Sequence, residues 1–242
     1  MEINWYGFIG TQFSFENRDA IVVKPPNNKN KYCLAVKTEY WGAFPETEIE
    51  LLNSGFTLCY IKNDNRFGQE ADLVRKANFI RHVQKQYDLK KKCVLIGMSC
   101  GGMIAINFAS RFPELVSCLY LDAPVLNFAS WPCGLGSGCS DWETTKDEIL
   151  SALKRENLAQ ILSYTDMPVH RLDALVKNRI PVVMVAGDCD RVVPYRENGY
   201  LLACAYRDAG VKLSEHIKPN ADHHPHGLDD PSAVVAFICE CV

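Results

Sequence analysis

The chain has 242 residues, 26 basic and 29 acidic, for a formal net charge of −3. A chain of this length buries roughly 70–75% of its unfolded surface, which suits one well-cored domain with room for an insertion. The mixed charges give no electrostatic footprint for nucleic acid, the start MEINWYGFIG lacks the parts of a signal peptide, and no apolar run approaches the roughly 18 residues of a membrane span, so a cytoplasmic protein is expected.

In chain order, two short strands around residues 12–15 and 20–24 flank the turn ENRD, and the polar stretch PPNNKNK (25–31) separates this hairpin from the main body. Strand and helix signals then alternate: CLAVK (33–37), PETEIELLNS (45–54), FTLCYI (56–61), ADLVRKANFIRHVQKQY (71–87) and CVLIG (93–97). In the second helix Leu73, Ala77, Ile80, Val83 and Tyr87 form one apolar stripe. The series continues with a helix at 102–110, strands at 116–122 and 181–187, a helix at 197–208, a strand at 212–217 and a last helix at 232–241. Short, nearly continuously apolar strands alternating with helices specify an α/β fold, with a mostly parallel central sheet flanked by helices.

Residues 125–179 break this rhythm. A Trp/Gly/Cys-rich loop, WPCGLGSGCSDW, leads into the helix-like stretches TTKDEILSALKREN and HRLDALVKN. Their place between two sheet strands predicts a small helical cap on a core formed by residues 1–124 and 180–242. The eleven cysteines are odd in number and form no CxxC pair, so Cys133 and Cys139 of that loop read as ordinary free thiols.

Gly97-Met98-Ser99-Cys100-Gly101 has the G-x-S-x-G form between a strand and a helix, the context in which a serine nucleophile is held on a sharp turn. The Cys100 N–H, at the helix start, would face the developing oxyanion. A serine hydroxyl needs a base, and the base needs an anion to fix its tautomer. Three of the six histidines, His223, His224 and His226, cluster in NADHHPHGLDDP, and any of them can serve. A zinc site is the lesser reading of that cluster, since no partner ligands accompany it. For the acid, GDCDRVVP offers Asp188 and Asp190, and Asp122 ends an earlier strand; Asp190 is favoured, with Asp188 organising the turn.

The segments KTEYWGAFP, GMSCGG, GDCDRVVP and DHHPHGLDDP, which frame the chain from about residue 33 onward, resemble those of the α/β-hydrolase superfamily, and more narrowly its compact bacterial members with a short helical cap. The resemblance implies a serine hydrolase of that fold with Asp190 as acid and His223 as base. Asp222 stands where the superfamily commonly has glycine, which keeps His224 and His226 in play. It also implies a second oxyanion donor in the loop Thr38–Gly42, from the N–H of Glu39 or Tyr40, although the usual His-Gly pair is absent there.

Loops at the carboxyl ends of the strands supply a substrate wall of Trp41, Phe44, Arg66, Phe67, Phe128 and Trp131, suited to a modest acyl or alcohol group. Arg66 either meets an anionic substrate or pairs with Glu70 or Asp72. The expected activity is cleavage of a small-molecule carboxylic ester through an acyl-enzyme, with no metal and no cofactor. The same parts would serve an aminopeptidase, clamping the substrate amino group with Glu39, Glu143 or Asp166, or an acyltransferase; a catalytically inert binding protein is the reading from another class.

Overall fold

Alternation of apolar side chains along short strands builds the centre of the molecule. The computed structural model describes residues 1–27 and 29–242; Asn28, within the polar loop 25–31, lies outside the described residues. Among the described residues nine strands form one sheet: β1 (Glu2–Trp5), β2 (Phe8–Phe15), β3 (Arg18–Val23), β4 (Cys33–Lys37), β5 (Phe56–Ile61), β6 (Cys93–Met98), β7 (Val116–Asp122), β8 (Val182–Gly187) and β9 (Leu213–Lys218). Their order is β1-β2-β3-β5-β4-β6-β7-β8-β9. The pairs from β1 to β3 and β3 with β5 are antiparallel, and every pair from β5 through β4 to β9 is parallel.

Period-two alternation sends each strand's side chains to opposite faces. On one face Leu34, Leu95, Leu119 and Val182 meet α2 (Glu70–Gln86), α3 (Cys100–Arg111) and α7 (Gly199–Asp208). On the other Ala35, Val94, Cys118 and Val183 meet α1 (Glu46–Asn53) and α8 (Ser232–Cys239). With both faces covered, β4, β5, β6 and β8 are buried along their whole length. Among the described residues no helix is long and apolar enough to cross a membrane.

The amino-terminal region holds three strands rather than two. The edge strand β1 buries only Trp5, so its sequence carries little alternation, and Gly10 interrupts the apolar pattern of β2. Two-residue turns join these strands, with positive φ at Tyr6 and Gly7 (48° and 88°) and at Glu16 and Asn17 (45° and 61°), as hairpins with the right-handed strand twist require.

Between β7 and β8 lie α4 (Trp142–Leu153), α5 (Leu158–Leu162) and α6 (Leu172–Lys177), and among the described residues this interval contains no strand. The five residues of α5 are too few to display a helical period; Asn157 caps it by accepting a hydrogen bond from Gln160 N at 3.1 Å. The expected helix at 197–208 is split. A 3-10 turn at Tyr195–Glu197 ends at Asn198, whose buried side chain accepts from Leu126 N and Asn127 N (2.9 and 3.1 Å) and faces Ser130 Oγ and Pro194 O (both 3.1 Å). That one amide fastens the chain leaving β7 to the turn before α7.

A buried ion pair, Lys37 with Glu48, joins the end of β4 to α1, and Lys37 Nζ also donates to Ala43 O at 3.3 Å. The two side chains are 1% and 4% exposed. Lys37→Met leaves Glu48 buried without its counter-charge and is expected to cost about 3–5 kcal/mol in urea unfolding, whereas Lys37→Met/Glu48→Leu is expected to recover most of that loss. An equal loss in both variants would show that the pair contributes packing rather than charge.

Candidate active site

The end of β6 turns into α3 through Ser99, whose φ and ψ are 51° and −119°. Ser99 N donates to Asp122 O at 2.8 Å, and Ser99 O accepts from Gly102 N and Val125 N at 2.9 and 3.1 Å, so the turn is held from both sides. Small residues are required around it. A Cβ on Gly97 would lie 2.6 Å from Gly101 O, and one on Gly102 would lie 2.4 Å from the Pro124 Cβ. The Thr38 hydroxyl sits between the carbonyl oxygens of Ile96 and Gly101 (2.9 and 2.7 Å), tying the loop after β4 to the elbow.

Two further loops arrive at Ser99. Asp190 follows β8, and its Oδ1 accepts from Val192 N and Val193 N at 2.9 and 2.7 Å, which aims Oδ2 at the histidine loop. His223 follows β9, with Nδ1 2.7 Å from Asp190 Oδ2 and Nε2 3.1 Å from Ser99 Oγ. Because an ionised carboxylate only accepts, Nδ1 carries the proton and Nε2 offers its lone pair to the serine hydroxyl. Both residues are 6% exposed, so the pair is screened from water.

Asp222, next to the histidine that meets Ser99, has a structural use. Its carboxylate accepts from Arg191 N and His223 N (2.9 and 2.8 Å) and from Arg191 Nε and Nη2 (2.9 and 2.7 Å). Those donors hold its pKa down at about 2. Asp222 thereby clips the loop of the acid to that of the base, while Asp188 Oδ1 accepts from Asn220 N at 2.6 Å beside them.

Sequence reasoning missed a second carboxylate–histidine pair. His226 Nδ1 lies 2.8 Å from Asp122 Oδ1, and Asp122 Oδ2 accepts from Gly227 N at 2.5 Å and from the Tyr120 hydroxyl at 3.2 Å. The reserve acid and the alternative base thus partner each other. His224 is exposed and stacks on Phe44 (ring centroids 5.7 Å apart); partial burial and the two neighbouring imidazoles hold its pKa below the usual histidine range.

The three loops open on a cavity of about 280 Å³ whose lining includes Tyr40, Phe44, Arg66, Ser99, Cys100, Trp131, Asp141 and the three histidines. Burial pushes the Cys100 thiol up to about 11, leaving it protonated, and burial likewise raises the Tyr40 phenol. Cys100 is the first residue of α3, so its N–H has no intrahelical acceptor. Tyr40 N–H donates at 3.3 Å to the carboxylate of Glu39, which also accepts from Asn63 Nδ2 at 2.5 Å; of the two residues expected to supply a second donor, Tyr40 lines the cavity and Glu39 lies behind it.

Three of the expected wall residues lie elsewhere. The chain reverses through Tyr40 (φ 57°) and Gly42 (φ 80°), so Trp41 stacks on Tyr60 and packs against Trp5 (ring centroids 5.6 and 5.0 Å away) instead of facing Ser99. Phe67 and Phe128 are buried behind the wall, where Phe67 stacks on Trp131 at 6.2 Å and meets Phe128 at 6.4 Å. Arg66 pairs with neither Glu70 nor Asp72, which bind Arg111 and Arg75. Its Nε and Nη2 each reach Glu148 Oε2 on α4 at 3.0 Å, and its guanidinium lies over the Trp131 ring at 5.4 Å. Of the proposed amino-group clamps, Glu143 pairs with Lys146 and Asp166 with Arg171. The cavity's acidic residue is instead Asp141, whose Oδ2 accepts from Trp131 Nε1 at 2.6 Å.

A family model described as the alpha/beta hydrolase fold matches residues 61–165. None of the curated proteins matches this chain. Among solved structures, the dipeptidyl peptidase 4 of Porphyromonas gingivalis is similar over 96% of this chain and 35% of its own, at 15% identity and a TM-score of 0.66. The acylaminoacyl peptidase of Pyrococcus horikoshii is similar over 89% of this chain and 37% of its own, at 13% identity and a TM-score of 0.65. A protein of Thermoplasma acidophilum described as a predicted CIB-like hydrolase covers 96% of this chain and 95% of its own, at 17% identity and a TM-score of 0.55. The chain therefore spans little more than a third of the two peptidases. With its mostly parallel sheet, helices on both faces and an elbow between β6 and α3, the chain has the α/β-hydrolase fold.

Proposed function

We propose that the chain is a serine hydrolase that cleaves a small carboxylic ester through an acyl-enzyme on Ser99. The observation that carries this reading is the continuous hydrogen-bonded path from Ser99 Oγ through His223 to Asp190, at 3.1 and 2.7 Å, opening on one cavity. As Oγ attacks the carbonyl carbon, His223 Nε2 takes its proton, and the buried Asp190 carboxylate offsets the imidazolium charge. The proton then passes to the departing alkoxide. Water enters, gives its proton to the same nitrogen, attacks the acyl carbon and releases the carboxylic acid and Ser99.

The oxyanion of each tetrahedral intermediate is received by the Cys100 N–H, at the positive end of α3. Tyr40 N–H is the second donor. Its bond to Glu39 is long, at 3.3 Å, and a developing oxyanion replaces it. Residues 125–179 act as a cap on a core of residues 1–124 and 180–242. The cap brings Trp131 and Asp141 to the cavity and, through Glu148, orients Arg66. A cytoplasmic location suits free thiols such as the exposed Cys139 and Cys189.

Peptide cleavage is the second reading, favoured by the likeness of 89–96% of this chain to the two peptidases and by the carboxylate of Asp141 in the cavity wall, where it can meet a substrate amino group. Turnover of acetyl, butyryl and dodecanoyl p-nitrophenyl esters beside aminoacyl p-nitroanilides separates the two. The cavity's size predicts that acetyl and butyryl esters are cleaved and dodecanoyl esters poorly. Anilide cleavage at rates comparable with the short esters would transfer the assignment to a peptidase, and no turnover of either class would contradict a hydrolase.

A further inference from the structure

Two of the cavity's three imidazoles already have the arrangement that metal-binding histidines have. His223 and His226 each direct Nδ1 at a buried carboxylate, Asp190 at 2.7 Å and Asp122 at 2.8 Å. A carboxylate behind Nδ1 fixes the tautomer, leaves the Nε2 lone pair outward and raises its basicity, which is the outer-shell support typical of zinc ligands. The third imidazole, His224, is exposed on the same loop, with Phe44 stacked against its ring at 5.7 Å. Among the described residues these three form a group that can converge on one ion, with one nitrogen from each lying within 4.8 Å of the others. Tetrahedral zinc requires ligand nitrogens roughly 3.4 Å apart, inside the 4.8 Å within which these now lie, so binding would draw the three rings together.

We propose that His223, His224 and His226 bind a zinc ion that shuts the active site. Zinc and the serine compete for the same electron pair: once His223 Nε2 is a ligand, it no longer accepts the Ser99 proton across the present 3.1 Å contact. Water takes the fourth position. The ion is thus an inhibitor rather than a cofactor. The inhibition rests on the hydrolase reading given above, whereas the binding does not.

The test is a zinc titration against a chromophoric chelator, carried out on wild-type protein and on Ser99→Ala. One zinc per chain is expected in both, with affinity falling by about 10- to 100-fold or more in His224→Ala, His226→Ala and His223→Ala. X-ray absorption of the zinc-loaded protein should show nitrogen and oxygen neighbours near 2.0–2.1 Å. In wild type, zinc should also abolish ester turnover, and a chelator should restore it. Unchanged affinity in the three histidine variants, no bound zinc, or a sulfur shell near 2.3 Å from the cysteines would overturn the site. Because binding is read without turnover, a protein that binds zinc through these histidines but cleaves neither ester nor anilide would support the site and overturn the hydrolase reading alone.

Discussion

Ser99→Ala is expected to lower kcat on an activated short-chain ester by about 10⁴- to 10⁶-fold while leaving the far-UV circular dichroism and the melting temperature close to those of wild type. The size of the effect follows from the chemistry: without Oγ no acyl-enzyme forms, and the residual rate is that of water assisted by the oxyanion donors and by binding. The small structural effect follows from where the group sits. The turn is held by the backbone of Ser99, through Asp122 O, Gly102 N and Val125 N, and the removed hydroxyl's contact is with His223. A loss of less than tenfold would mean that another nucleophile or a direct attack by water carries the reaction.

The second large effect is expected at the acid and base. Asp190→Asn should lower kcat by about 10⁴-fold, because an amide at this position can donate to Nδ1 and favours the tautomer that places the proton on Nε2, facing the serine. His223→Ala should be at least as severe, and the double variant should be little worse than either single one, since the two act as one unit. Strictly additive losses would argue against a relay. Turnover that survives His223→Ala but is lost in His226→Ala would move the base to the Asp122–His226 pair.

Much of this arrangement is legible in the residues. The strands β4 to β8 are written as short apolar runs because both faces of the sheet are covered, and the elbow is written as Gly97, Ser99, Gly101 and Gly102 because backbone approaches within contact distance there. The Asp190 and His223 loops were legible from motif and order. What the residues did not disclose depends on the course of the chain after each motif. Nothing in EYWG says that positive φ at Tyr40 and Gly42 turns Trp41 away from Ser99, and nothing in NDNRFGQE links Arg66 to Glu148, which is 82 residues distant. Asp122 and His226 are each visible as candidates, but they lie 104 residues apart, and only the course of the loop after β9 back to the end of β7 brings them together.

The same reasoning explains why the cavity lining is harder to read than the contacts among Ser99, His223 and Asp190. Catalytic geometry calls for particular residue types at fixed loop positions, whereas an aromatic residue such as Phe67 or Phe128 serves equally well in a cavity wall or in the layer behind it. Trp131 reached the cavity because Asp141 holds its indole N–H, a contact set by a loop without regular secondary structure.

The most direct measurement is the site of acylation. Wild-type protein quenched during turnover of a slowly released ester and digested should yield a peptide spanning residues 93–111 heavier by one acyl group, with the modification on Ser99, and the adduct should accumulate far more slowly in His223→Ala. An acyl group found on a cysteine, or turnover with no covalent adduct at any time, would contradict the account.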